Sequence, residues 1–127
     1  MSDSDFEFSE YFSHADAYAA GDVQFEFVDS PWLNGESVEF TFRTVGGRTA
    51  PAGSVVSSIA VVTGDQRIIG GGQTTIRNEL GGHDVAGSRI NPAQYTREDG
   101  EYYLAITVGG DTRNVSYRIQ GQHVHAP

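Results

Sequence analysis

The stretch Gly100-Glu101-Tyr102-Tyr103-Leu104-Ala105-Ile106-Thr107-Val108-Gly109-Gly110-Asp111-Thr112-Arg113-Asn114-Val115-Ser116-Tyr117-Arg118-Ile119 decides the fold. Tyr102, Leu104, Ile106 and Val108 recur at every second position, and so do Val115, Tyr117 and Ile119. Successive side chains of an extended chain point to opposite faces, so each run describes a strand with one apolar and one polar face. Gly109-Gly110-Asp111 lies between them and tolerates the positive φ that a tight hairpin requires. The segment is predicted to be two antiparallel neighbours.

The same rhythm extends towards the N-terminus. Val23, Phe25 and Phe27 alternate with Gln24 and Glu26, and Val38, Phe40 and Phe42 alternate with Glu39, Thr41 and Arg43. Ser30–Gly35 joins these runs, its Asn34-Gly35 pair suiting a turn, so they are predicted to be neighbouring strands. Val55–Val62 is apolar or small on both faces, as expected of a central strand covered on two sides. After a reversal at Thr63–Gln66, Arg67–Ile69 reads as a short strand ended by Gly70-Gly71-Gly72, and Thr74–Arg77 as another. Asp84–Ile90 is a weak strand, broken by Gly87 and closed by Asn91-Pro92. About seven short strands with frequent turn signals predict an all-β, immunoglobulin-like antiparallel β-sandwich over residues 23–120. Residues 1–22 read as an acidic, aromatic N-terminal arm, and residues 121–127 as a polar C-terminal tail.

A chain of 127 residues suits one domain and one core, burying roughly two thirds of its unfolded surface. It has no cysteine, so disulfides, thiolate nucleophiles and thiolate metal sites are all excluded. No apolar run reaches the roughly 18 residues of a membrane span, and the acidic start is unlike a signal peptide. The expectation is a protein outside the membrane, in a virion or on the cell surface by a route without a classical leader, with the cytoplasm also open. Residues 1–42 contain ten acids and no base, so they carry the whole of the formal net charge of −9. Such a chain repels phosphate backbones, which argues against nucleic acid as a partner.

Glu98-Asp99-Gly100-Glu101-Tyr102-Tyr103-Leu104 resembles the strand-F motif of immunoglobulin-like domains. That resemblance implies that Tyr102 is a corner tyrosine bonded to backbone upstream, and that Leu104 stands where antibody domains place a cysteine. A wider stretch is similar to the bacterial cell-adhesion-related (CARDB-like) domain. It runs from Val38–Phe42 through Gly46-Gly47-Arg48-Thr49-Ala50 to Gly100–Val108. The resemblance implies a non-catalytic spacer or adhesion module.

Candidate chemistry is thin. His123 and His125 would point to one side of an extended segment and could share a metal ion, but no third ligand has the spacing, and they read as part of a solvated tail. Glu98, Asp99 and Glu101 are too few oxygens for calcium. Gly70-Gly71-Gly72 lacks the lysine and helix of a phosphate loop, and no serine sits in a nucleophile elbow. The expectation is no enzyme, no cofactor and no metal. Trp32, beside Pro31 and Leu33, reads either as a cap on the core, the favoured reading, or as a platform for sugar or a binding hot spot.

Phe6, Phe8, Tyr11 and Phe12 make the arm too aromatic for an ordinary tail and too acidic to collapse alone. They are the candidate interaction residues together with Trp32, in an arm that either folds back as an extra edge strand on its own sandwich or adds to the sheet edge or groove of another subunit. The leading expectation is a structural and interaction module that docks onto a larger assembly through the arm, against a partner protein with a basic surface. A phage head-decoration or tail component, or a bacterial surface-array subunit, would fit. The alternative is a carbohydrate-binding or adhesion module that uses Trp32 with Tyr95 and Tyr103.

Overall fold

The computed structural model describes residues 23–127. It shows nine strands in two antiparallel sheets packed face to face on a single core. Strands β1 (Phe25–Phe27) and β2 (Trp32–Asn34) lie end to end along one side of β3 (Ser37–Thr44), and β6 (Ala86–Ile90) pairs with its other side. The second sheet has the order β5 (Ile68–Thr75), β4 (Val55–Thr63), β7 (Gly100–Val108), β8 (Asp111–Gln120) and β9 (His123–His125). With β1 and β2 counted as one interrupted strand, the chain crosses between sheets after β3, β5 and β6. Immunoglobulin-like sandwiches partition their strands in this way.

The period-two patterns become buried faces. Val38, Phe40 and Phe42 of β3 face Leu104, Ile106 and Val108 of β7 and Val115, Tyr117 and Ile119 of β8 within one core. Phe25, Phe42, Phe40 and Phe27 form a ladder of rings with centroids about 6 Å apart. Arg113 closes its end, the guanidinium 4.8 Å above the Phe27 ring. β4 is central, between β5 and β7, as its double-sided apolar pattern predicts.

At the β7–β8 hairpin Val108 pairs with Asp111, so the loop is Gly109-Gly110 alone, both at positive φ. A Cβ on Gly109 would lie 2.2 Å from the Phe25 carbonyl oxygen, so this turn also needs glycine for close approach to the other sheet.

Three expectations are corrected. Ile68–Thr75 is one continuous strand through the three glycines, which lie in the ladder instead of ending it. A Cβ at Gly71 would meet the Ile59 carbonyl oxygen at 2.5 Å, so the glycine is what permits this pairing. Gly87 likewise sits inside β6 and does not break it. The segment read as a polar tail supplies β9, whose Val124 is buried in the core opposite Ile119.

Candidate functional site

The expected arm residues Phe6, Phe8, Tyr11 and Phe12 lie outside the described residues, as does His14. The other predicted positions are distributed over different parts of the sandwich. Leu104 is fully buried at its centre. Tyr102 is only half-buried, and its hydroxyl donates to the Glu98 carbonyl at 2.8 Å, the bond expected of a corner tyrosine. Partial burial, and then the nearby Glu98 and Asp99 charges, push its pKa above the ordinary tyrosine value. Its ring stacks on Tyr117, centroids 5.8 Å apart.

Tyr117 is the more deeply placed of the pair. It is fully buried, and its hydroxyl shares a 2.7 Å hydrogen bond with the buried Thr96 hydroxyl. Burial pushes the Tyr117 pKa up to about 12, against the opposing pull of the Thr96 bond. This contact ties the connection between β6 and β7, which changes sheets, to the middle of β8. Sequence reading placed Tyr117 on an inward face but gave no signal for a partner 21 residues upstream.

Trp32 does not cap the core. Alternation along β2 turns Leu33 inward, and Trp32 faces outward with 39% of its surface exposed. Its cross-strand partner is Glu39, whose own partner on the far side is Arg89, so the three side chains form one row across the outer face. Asn34 Nδ2 donates to Glu39 Oε2 at 3.0 Å, and Arg89 Nε lies 3.6 Å from the same oxygen. Beside this row an open groove of about 850 Å³ runs along the unpaired edge of β6, walled on its other side by Thr74–Leu80. Tyr103 lies on the outer face of the other sheet, bonded to Gln66, and Tyr95 packs against the core. Trp32, Tyr95 and Tyr103 therefore do not form one site.

No family model and no curated protein matches this chain.

His123 finds a carboxylate that the sequence pattern did not suggest. Glu36, in the β2–β3 turn, receives the Val124 amide at 3.1 Å, with His123 Nδ1 3.2 Å away. The backbone bond first, and the histidine second, hold the Glu36 carboxyl below its usual value. Among the described residues no group of three or more histidine or acidic side chains is placed to hold a metal ion. Asp99 is also occupied structurally, accepting from the Gly121 amide at 3.0 Å. Ser57 and Thr74, paired in register across β4 and β5, leave their buried hydroxyls without partners among the described residues. Among the described residues no helix is long and apolar enough to cross a membrane.

The four sheet edges differ in how they are protected. The β1–β2 edge is interrupted at Asp29-Ser30-Pro31, β9 is three residues long, and β6 carries Arg89. Charge, proline and shortness are the usual devices that prevent an edge from pairing with another chain. β5 has none of these: Ile68 to Ile76 contains no charge and no proline. Ile68 is 72% exposed and Ile69 45%, the latter unpaired at a slip of register between Val61 and Val62.

Proposed function

We propose that this chain is a non-enzymatic structural and interaction module that takes its place in a larger protein assembly by strand addition. The observation that carries the reading is the uncharged edge of β5, unpaired among the described residues, with its exposed isoleucines. Its occupant is the N-terminal segment of a neighbouring copy, around Ser4–Glu10. That segment alternates Phe6 and Phe8 with Asp5 and Glu7, the pattern of a strand that adds main-chain hydrogen bonds and anchors one row of side chains. Arg67 and Arg77 flank β5 at its two ends, matching the acids of the segment. The resemblance to adhesion-related sandwiches supports the same class. A virion decoration or tail component, or a surface array, is the setting in which such a module belongs.

Sedimentation velocity of the full chain over a concentration series tests this. Self-association is expected, weakening at high salt, where the screening length falls to roughly 3 Å at 1 M. Ile68→Lys with Ile69→Lys should leave a cooperative melt but a monomer, and Phe6→Ala with Phe8→Ala should mainly speed dissociation. A wild-type monomer at every concentration, or association indifferent to both variants, rejects the reading.

A further inference from the structure

The row formed by Trp32, Glu39 and Arg89 lies on the opposite sheet from β5, and the groove beside it meets β5 at Thr74 and Thr75, the end away from Ile68 and Ile69. We infer that this row and the groove beside it form a binding site for a neutral oligosaccharide.

Trp32 adds no side chain to the core, since Leu33 holds the inward position on β2. It instead presents an indole face and, among the described residues, an N–H without a protein acceptor. The C–H-rich face of a pyranose is weakly electropositive and apolar, and it stacks on the electron-rich face of an indole. The ring edge of a sugar carries hydroxyls that both donate and accept, so a site needs planar polar groups of both kinds within one side-chain length of the platform. Glu39 and Arg89 supply these. Asn34 and Arg89 both engage Oε2 of Glu39, which fixes the carboxylate and leaves Oε1 free to accept from a hydroxyl. Arg89 lines the groove and its side chain is 74% exposed against 21% for Glu39, which leaves its remaining N–H groups open to a ligand as donors.

Charge selects the class of sugar. The groove is lined by two acids, Glu39 and Glu79, and two arginines, Arg77 and Arg89, leaving no net charge to attract a uronic acid, sialic acid or sulfate. The volume lies within the roughly 300–1,000 Å³ usual for small-ligand sites, and the groove is open, so it suits a chain of sugar units. Gly87, next in the outward row on β6, keeps the floor beside Arg89 low.

Trp32 is the single tryptophan of the chain, so intrinsic fluorescence reports on this site directly. The full-length protein is titrated with neutral gluco-, xylo-, manno- and galacto-oligosaccharides, and with sialylated and sulfated oligosaccharides as the charged arm. The expected result is a saturable change in tryptophan emission with at least one neutral series, of greater affinity for longer chains. By calorimetry Trp32→Ala should weaken that binding at least tenfold and Glu39→Gln by about tenfold, while both variants keep the wild-type melting temperature. The site is disproved if no neutral series moves the emission, if only charged oligosaccharides bind, or if Trp32→Ala binds as well as the wild type. Because Ile68 and Ile69 do not line the groove, which touches β5 at Thr74 and Thr75, the double lysine variant should bind the same sugar unchanged, which separates this site from the isoleucine end of the assembly edge.

Discussion

Replacing Tyr117 by phenylalanine keeps the ring stacked on Tyr102 and removes one oxygen, leaving the Thr96 hydroxyl buried at 1% exposure with no partner. Stranding a buried hydroxyl costs about 1–3 kcal/mol, and Thr96→Val should cost a similar amount by stranding the Tyr117 hydroxyl instead. With both partners replaced nothing polar is stranded, so the double variant should be more stable than the sum of the two single losses by about 1–2 kcal/mol. Urea melts of the four proteins at neutral pH measure that difference. Burial of the Tyr117 hydroxyl, against which the Thr96 bond works, gives a second readout. Tyr117 titrates near 12 when folded and near 10 when unfolded, so its contribution is complete below about pH 10 and is lost as pH rises through about 12. Its full size is on the order of 2–3 kcal/mol, and the Tyr117→Phe protein should lack that part of the alkaline decline. Additive single losses, or identical alkaline declines in wild type and Tyr117→Phe, would refute the assignment of this pair as a sealed contact.

The remaining expectations concern turns and edges. Tyr102→Phe should lose about 1 kcal/mol with the Glu98 bond in a urea melt, whereas Tyr103→Phe, whose partner is the exposed Gln66 side chain, should change little. Gly109→Ala should lower stability well beyond the roughly 1–2 kcal/mol cost of a left-handed alanine, because its Cβ also meets the Phe25 carbonyl. Gly110→Ala, with open space around it, should show the conformational cost alone in thermal melts. Glu36 is held below its usual value, so its grip on β9 is present above that value and lost as pH falls through the lowered one. The protection of the Val124 amide against exchange, taken relative to its intrinsic rate at each pH, should therefore fall on acidification in the wild type, and far less in Glu36→Gln.

The strands with three or four apolar residues at every second position, β3, β7 and β8, were legible because a half-buried sheet face requires that period. The sequence could not reveal β9, since Val124 is one inward residue between two histidines and one residue has no period. Gly70-Gly71-Gly72 reads as the end of a strand because glycine usually marks a turn. Here the absence of a Cβ at Gly71 lets the strand approach Ile59, a tertiary fact with no local signature. Trp32 was misplaced for a different reason. Its size argued for burial, but the strand it stands on alternates, and Leu33 already occupies the inward place. Glu39 and Arg89 are 50 residues apart and become neighbours only through pairing of β3 with β6.

The way β9 is held also has a mechanical side. It runs antiparallel to β8 from the turn at Gly121, with Arg118 opposite His125 at its outer end. A pull applied at residue 127 therefore loads that outermost pair first and opens the ladder one rung at a time, the Val124 plug next and the His123–Gln120 pair last. Peeled in this way, His123–His125 would yield at low load and lengthen the chain by a few residues, while β7 and β8 stayed clamped in their longer ladder. A subunit fastened by that end would meet a sudden tug with a short, recoverable give before its core bore any force.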